Sequence, residues 1–190
     1  MTELSRREAL AAAAFAGAVA ALPAWARQAA APAGAQWDLS ELYPSEAAWE
    51  DARKQALAAI PAVARFKGRL GESADVLAEA LVLQSDLGRT IGRIYTYASL
   101  KGDEDVRISA NQEKLAQARD LYTAFGEASS WTSPELLTLG KAKIDAFLAA
   151  NATLRTRFDF ALADTLRQAE HTLSPEGEAI LASASSPLAA

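Results

Sequence analysis

Few residues in this 190-residue chain have the type and spacing to do chemistry. His171 is the one histidine and there is no cysteine. A catalytic zinc takes three protein ligands, usually with two or three histidines among them, and His171 alone cannot supply that set. No HExxH, no GxSxG, no phosphate-cradling glycine loop and no nucleophile–histidine pair occurs. Asp103, Glu104 and Asp105 crowd together in "KGDEDVR" but lack the spacing and the later glutamate of a calcium loop. They read as a solvated turn that caps the following helix. Glu170 precedes His171, and on a helix the two would point about 100° apart rather than onto one face. His171 therefore reads as a residue near a helix C-terminus, satisfying carbonyls beside the next cap. Trp37, Trp49, Trp131, Tyr43, Tyr95, Tyr97 and Tyr122 read as core or core edge, with a groove lined by a few of them as the competing role. No catalytic or metal residue is assigned.

The sharpest local signal lies at the start, in "SRREALAAAAFAGAVAALPAWARQ". Arg6 and Arg7 are followed by eighteen uncharged residues, Ala9 to Ala26, rich in alanine and holding Gly17 and Pro23. That run reaches only the lower edge of a membrane span. Its order, a positive start, a mildly apolar middle and Ala24-Trp25-Ala26 at the end, is that of an export signal with a small-x-small cleavage site. Ser5-Arg6-Arg7-Glu8-Ala9-Leu10 resembles the twin-arginine signal, in which Arg6 and Arg7 are read by a receptor and cleavage follows Ala24 and Ala26. An ordinary secretory signal and an uncleaved anchor are the alternatives. The expected location is outside the bacterial cytoplasm, periplasmic or extracellular, with no stable membrane span. "RQAAAPAGA" has the composition of a flexible spacer.

What remains must form one domain from its own core, since no disulfide is available. The net charge of −5 and the lack of a basic patch argue against nucleic acid. The elements read as helices. Ser45 caps the first, with Trp49, Ala52, Ala56 and Ile60 facing in and Pro61 ending it. Ser73 caps the second, whose stripe is Leu77, Ala80, Leu81, Leu87, Gly88, Ile91, Ile94, Tyr95 and Ala98. "KGDEDVRIS" turns the chain into a third, facing in through Leu115, Ala118, Tyr122, Phe125 and Ser129. Ser133 caps the next, with Pro134 at its first position and a break at Gly140 that makes a second piece reaching Asn151. Phe158, Leu162 and Leu166 mark another, and Ser174-Pro175-Glu176 starts the last. The expected fold is all-α, a lobe of at least six helices with no significant sheet. The organisation expected is 1–26 signal, 27–36 spacer, 37–184 helical domain and 185–190 tail.

"WDLSELYPSEAAWE", "FKGRLGES", "YTYASLKGDEDV", "PELL" and "HTLSPEGEAIL" together resemble, in order and spacing, the N-terminal region of oligoendopeptidase F, within the thimet-type zinc oligopeptidases. The resemblance covers Trp37 to Leu181. It implies a helical lobe forming one wall of a narrow channel that admits short peptides. It implies a zinc only in a later, C-terminal catalytic half, where an HExxH helix and a further glutamate bind the metal. This chain is expected to stop short of that half and to hold no cofactor itself. The C-terminal half is then its expected partner. Lobe positions that carry over are Trp37, Asp38, Tyr43, Tyr95 to Lys101 and His171 to Ser174, all as structural positions. The other reading is a free-standing helical module of the cell envelope without catalysis.

Overall fold

The structure is a computed structural model, and it describes residues 37–169 and 173–188. Helix α1 is Glu46–Ala59, α2 Ala74–Glu104, α3 Ser109–Ser129, α4 Thr132–Ala150 and α5 Asp159–Arg167. A 3-10 segment, Ile60–Phe66, follows α1, and a single π-type turn, Leu154–Phe158, precedes α5. A final helical segment runs Pro175–Leu188. No strand occurs among the described residues. Among the described residues, five helices together with the 3-10 and π-type segments carry the buried core, where at least six helices were expected. The break expected at Gly140 is present: its φ of 74° and ψ of 164° are not helical, and α4 is two pieces that meet there at a kink.

The helix starts follow from local chemistry. Ser45 Oγ accepts the Ala48 N–H at 3.1 Å, and Ser73 Oγ accepts the Val76 N–H at 3.1 Å. Each satisfies one of the N–H groups that a helix leaves orphaned at its start. Pro61 enters at the head of the 3-10 segment, where its missing N–H costs nothing. The long helix α2 is the spine. It packs against α1, and with α3 it makes an antiparallel pair. Its buried residues Leu77, Ala80, Leu87, Ile91, Ile94 and Ala98 recur at the expected helical period. Helix α4 packs on α5, and the final segment lies along α3.

Three expectations need correction. Lys101 to Glu104 belong to α2 rather than to the turn, which is confined to residues 105–108. The last turn of α2 persists because α3 satisfies its carbonyls: Asn111 Nδ2 donates to Lys101 O at 2.9 Å, and Gln112 Nε2 to Gly102 O at 3.4 Å. Ser133 does not cap α4, which begins one residue earlier. Thr132 Oγ1 is engaged across the core with Gln84 Oε1 at 3.1 Å, and Pro134 sits in the first turn where no N–H is needed. Tyr122 is 58% exposed, and Leu121 takes the buried place beside it. Of the α2 glycines Gly88 and Gly92, only Gly88 makes a close helix contact. A Cβ on Gly88 would meet the Phe125 ring at 3.3 Å, whereas one on Gly92 would meet nothing within 4 Å.

Candidate functional site

Two clasps position the regions that the sequence singled out. The first fixes the leading segment to α2. Trp37 N–H donates to Glu104 Oε1 at 3.0 Å. Arg93, one face of α2, donates through Nη2 to the carbonyls of Leu42 at 2.8 Å and Glu41 at 3.1 Å. Its guanidinium lies 5.8 Å from the centre of the Tyr43 ring, within cation–π range. Tyr43 meets Tyr97 edge-on at 5.7 Å, and Trp49 stacks on Tyr97 at 6.2 Å. The buried Trp49 Nε1 donates to Ile94 O at 3.0 Å, so its one polar atom is satisfied. Burial pushes the Tyr97 and Tyr43 hydroxyls above their usual range. Hydrogen bonding from Ser40 lowers the Asp38 carboxyl.

The second clasp joins "FKGRLGES" to "PELL". Both oxygens of Glu135 accept backbone N–H groups, Gly68 on Oε2 and Leu70 on Oε1, each at 2.7 Å. Gly68 adopts φ +79°, a conformation that side-chain-bearing residues rarely take, and this turns two amides toward one carboxylate. Arg69 is thereby free to fork onto Glu72 at 2.9 and 2.8 Å. Gly71 then approaches α4 so closely that a Cβ would lie 2.8 Å from Leu139 Cδ2. A groove of about 600 Å³ opens here, with Gly71, Trp131, Pro134, Leu137, Leu139 and Leu173 among its walls.

The residues singled out for chemistry are accounted for as follows. Glu104 holds Trp37 N–H and the Lys101 ammonium at 3.1 Å, and Asp105 forks onto Arg107 at 2.8 and 2.7 Å. Arg107 holds the Asp105 carboxyl down to about 2. Glu104 and Asp105 are thus spent on local contacts, but the capping expected of the cluster is not found: α3 begins after Ile108 with no side-chain cap. Among the described residues no group of three or more His, Cys, Asp or Glu is placed to hold a metal ion, so these residues do not fit a zinc site. Among the described residues no helix is long and apolar enough to cross a membrane. His171, Arg6, Arg7, Ala24 and Ala26 lie outside the described residues. Ser174 does start the final segment: its Oγ accepts Gly177 N–H at 3.2 Å, while Glu178 Oε1 accepts Leu173 N–H at 2.9 Å. That reciprocal pair is a capping arrangement. The sequence reading missed Arg93 and Glu135, the two side chains that organise the clasps. The visible hint for Glu135 was the pairing of a turn-forming Gly68 with an acidic residue in another quoted stretch.

What this arrangement can do is hold surfaces in place. Residues 135–190 match a protein family described as oligopeptidase F. Over 152 residues the chain is 34% identical to oligopeptidase PepF of Bacillus subtilis (strain 168), covering 80% of this chain and 22% of that protein. Over 150 residues it is 33% identical to group B oligopeptidase PepB of Streptococcus agalactiae serotype III (strain NEM316), covering 79% of this chain and 25% of that one. The crystal structure of oligoendopeptidase-F from Enterococcus faecium matches with a TM-score of 0.69 and 26% identity, over 74% of this chain and 28% of that chain. The chain spans about a quarter of the length of the curated relatives it matches, 22% and 25% in the two named. In sequence and in fold, the chain is similar to the N-terminal region of oligoendopeptidase F.

Proposed function

We propose that residues 37–188 form the N-terminal, substrate-channel lobe of an exported, zinc-dependent oligoendopeptidase that acts on short peptides. The observation that carries this reading is the 34% identity to an oligopeptidase over four-fifths of the chain, 80%. In this reading the chain binds and excludes rather than reacts. The zinc and the groups that use it belong to a C-terminal half, and the lobe forms a rigid wall that limits access to short, unfolded peptides. Rigidity is what the two clasps provide, because each ties a segment to a long helix through several hydrogen bonds rather than one. A chimera tests the reading. The matching segment of the Enterococcus faecium oligoendopeptidase-F is replaced by residues 37–188 of this chain. The chimera is expected to cleave a short peptide well above the same enzyme with its segment deleted, and to leave a folded protein intact. A soluble, zinc-loaded chimera no better than the deletion would contradict the reading.

Export belongs to the same proposal and rests on the leader alone. Arg6 and Arg7 are taken as the receptor-read pair and Ala24 and Ala26 as the cleavage determinants, giving a product that begins near Arg27. Replacing Arg6 and Arg7 by lysine keeps the charge but removes the guanidinium fork. Precursor is then expected to accumulate in the cytoplasm, and normal export of the double variant would refute the twin-arginine assignment.

A further inference from the structure

The final helical segment wears its apolar stripe on the outside. Gly177, Ile180, Leu181 and Ala184 follow the i, i+3, i+4, i+7 spacing of a helix face meant for burial. Leu173 precedes the helix and packs over the same face at its first turn, since a Cβ on Gly177 would lie 2.9 Å from Leu173 Cβ. Yet Leu173 is 52% exposed, Ile180 71% and Leu181 54%. The segment already has a neighbour in α3, and that contact leaves its large apolar members uncovered. Single exposed aliphatics are ordinary on a protein surface, but three gathered along one face, two on the helix and one just before it, are not. The stripe also continues into the apolar groove beside Gly71, because Leu173 lines both.

We infer that this stripe and groove form the docking face for the body of an oligoendopeptidase, the part of the relatives that lies outside the matched span. The inference rests on the proposed function. Its occupant follows from length: the matched region is 22%, 25% and 28% of three relatives, so in each the lobe fold is joined to a much larger body. It follows also from position, since the matched family region 135–190 takes in the whole stripe and, of the α4 wall, Leu137 and Leu139. A mostly aliphatic face with few charges selects an apolar protein surface, which is what a permanent intramolecular interface presents.

The test is capture in solution by the Enterococcus faecium oligoendopeptidase-F body lacking its matching segment. Three forms of the full chain are compared: unaltered, Ile180→Asp with Leu181→Asp, and Val106→Asp. Val106 is 72% exposed in the α2–α3 turn, so it controls for a charge placed on an isolated apolar residue. Circular dichroism checks that all three keep their helix content. The unaltered chain and Val106→Asp are expected to capture the body equally, and the Ile180/Leu181 variant about tenfold less or worse. Full capture by the Ile180/Leu181 variant would overturn the docking face while leaving the lobe reading intact. No capture by the unaltered chain would overturn the inference, and the chimera would then decide whether the lobe reading falls with it.

Discussion

At the leading clasp, Trp49 is 2% exposed, its indole N–H is bonded and its ring stacks on Tyr97, which also meets Tyr43 edge-on, and Arg93 lies over Tyr43. At the final helical segment, Ile180 and Leu181 sit at the same helical spacing as any core residue and yet face solvent. Both regions obey the rules of helix packing. They differ in cover. The clasp draws its partners from residues 37–104. The final segment packs along α3 and leaves Ile180 and Leu181 exposed. Under the proposed docking, substitutions should cost stability at the first and association at the second.

The largest stability loss is expected at the leading clasp. Trp49→Ala removes a fully buried ring and a satisfied hydrogen bond, and should cost about 3–5 kcal/mol in a chemical-denaturation measurement. Next comes the second clasp. Glu135→Ala leaves the Gly68 and Leu70 amides without their acceptor and should cost about 2 kcal/mol. Glu135→Gln, which keeps one oxygen acceptor, should cost less. Gly140 lies at φ +74°, ψ 164°, a region open almost only to glycine, with nothing within 4 Å of its missing Cβ. Gly140→Ala should therefore cost about 1–3 kcal/mol through backbone strain alone, not through a clash. If it proved neutral, the kink would not be a fixed feature of α4.

A smaller effect is electrostatic. Arg53, forked onto Glu50 at 2.7 Å by both nitrogens, holds the Glu50 carboxyl down to about 2 from its usual 4.5. A folded-state value below the unfolded one means the pair stabilises fully above about pH 4.5 and loses that contribution as pH falls toward 2. The pair is near the surface, so its contribution is under about 1 kcal/mol. Unfolding at pH 5.5 and at pH 2.5 should show a larger acid penalty in the native chain than in Arg53→Gln. Smallest of all is Ile180→Asp with Leu181→Asp, expected to change the isolated chain's stability by less than about 0.5 kcal/mol. A large loss there would mean the stripe is already buried and would erase the contrast.

Local signals were legible in the sequence. Ser45, Ser73 and Ser174 could be read as caps because the bond each makes spans only three residues. The stripes of α1 and α2 were legible because period reports face. What was not legible is what depends on distant pairing. Glu135 reaches back 67 residues to Gly68, and Thr132 reaches 48 to Gln84, so no window around Ser133 could show that α4 starts early. Tyr122 and Leu121 were exchanged because one step along a helix is a 100° turn, and only the placement of α2 decides which of them faces in. The end of α2 was drawn too soon because its last carbonyls are satisfied by Asn111 and Gln112 on the next helix. The final stripe was not read from the sequence, and no sequence pattern says whether such a face is covered.

Amide hydrogen exchange tests the contrast between the two ends most directly, measured on the chain alone and with the oligoendopeptidase body present. Adding the body is expected to slow exchange across residues 173–188 and the groove wall at 134–139, and to leave the clasp residues 39–49 and 91–98 unchanged. Slowed exchange at the clasp with no change at 173–188 would contradict the account, because the covered clasp would then be the one that needs a partner.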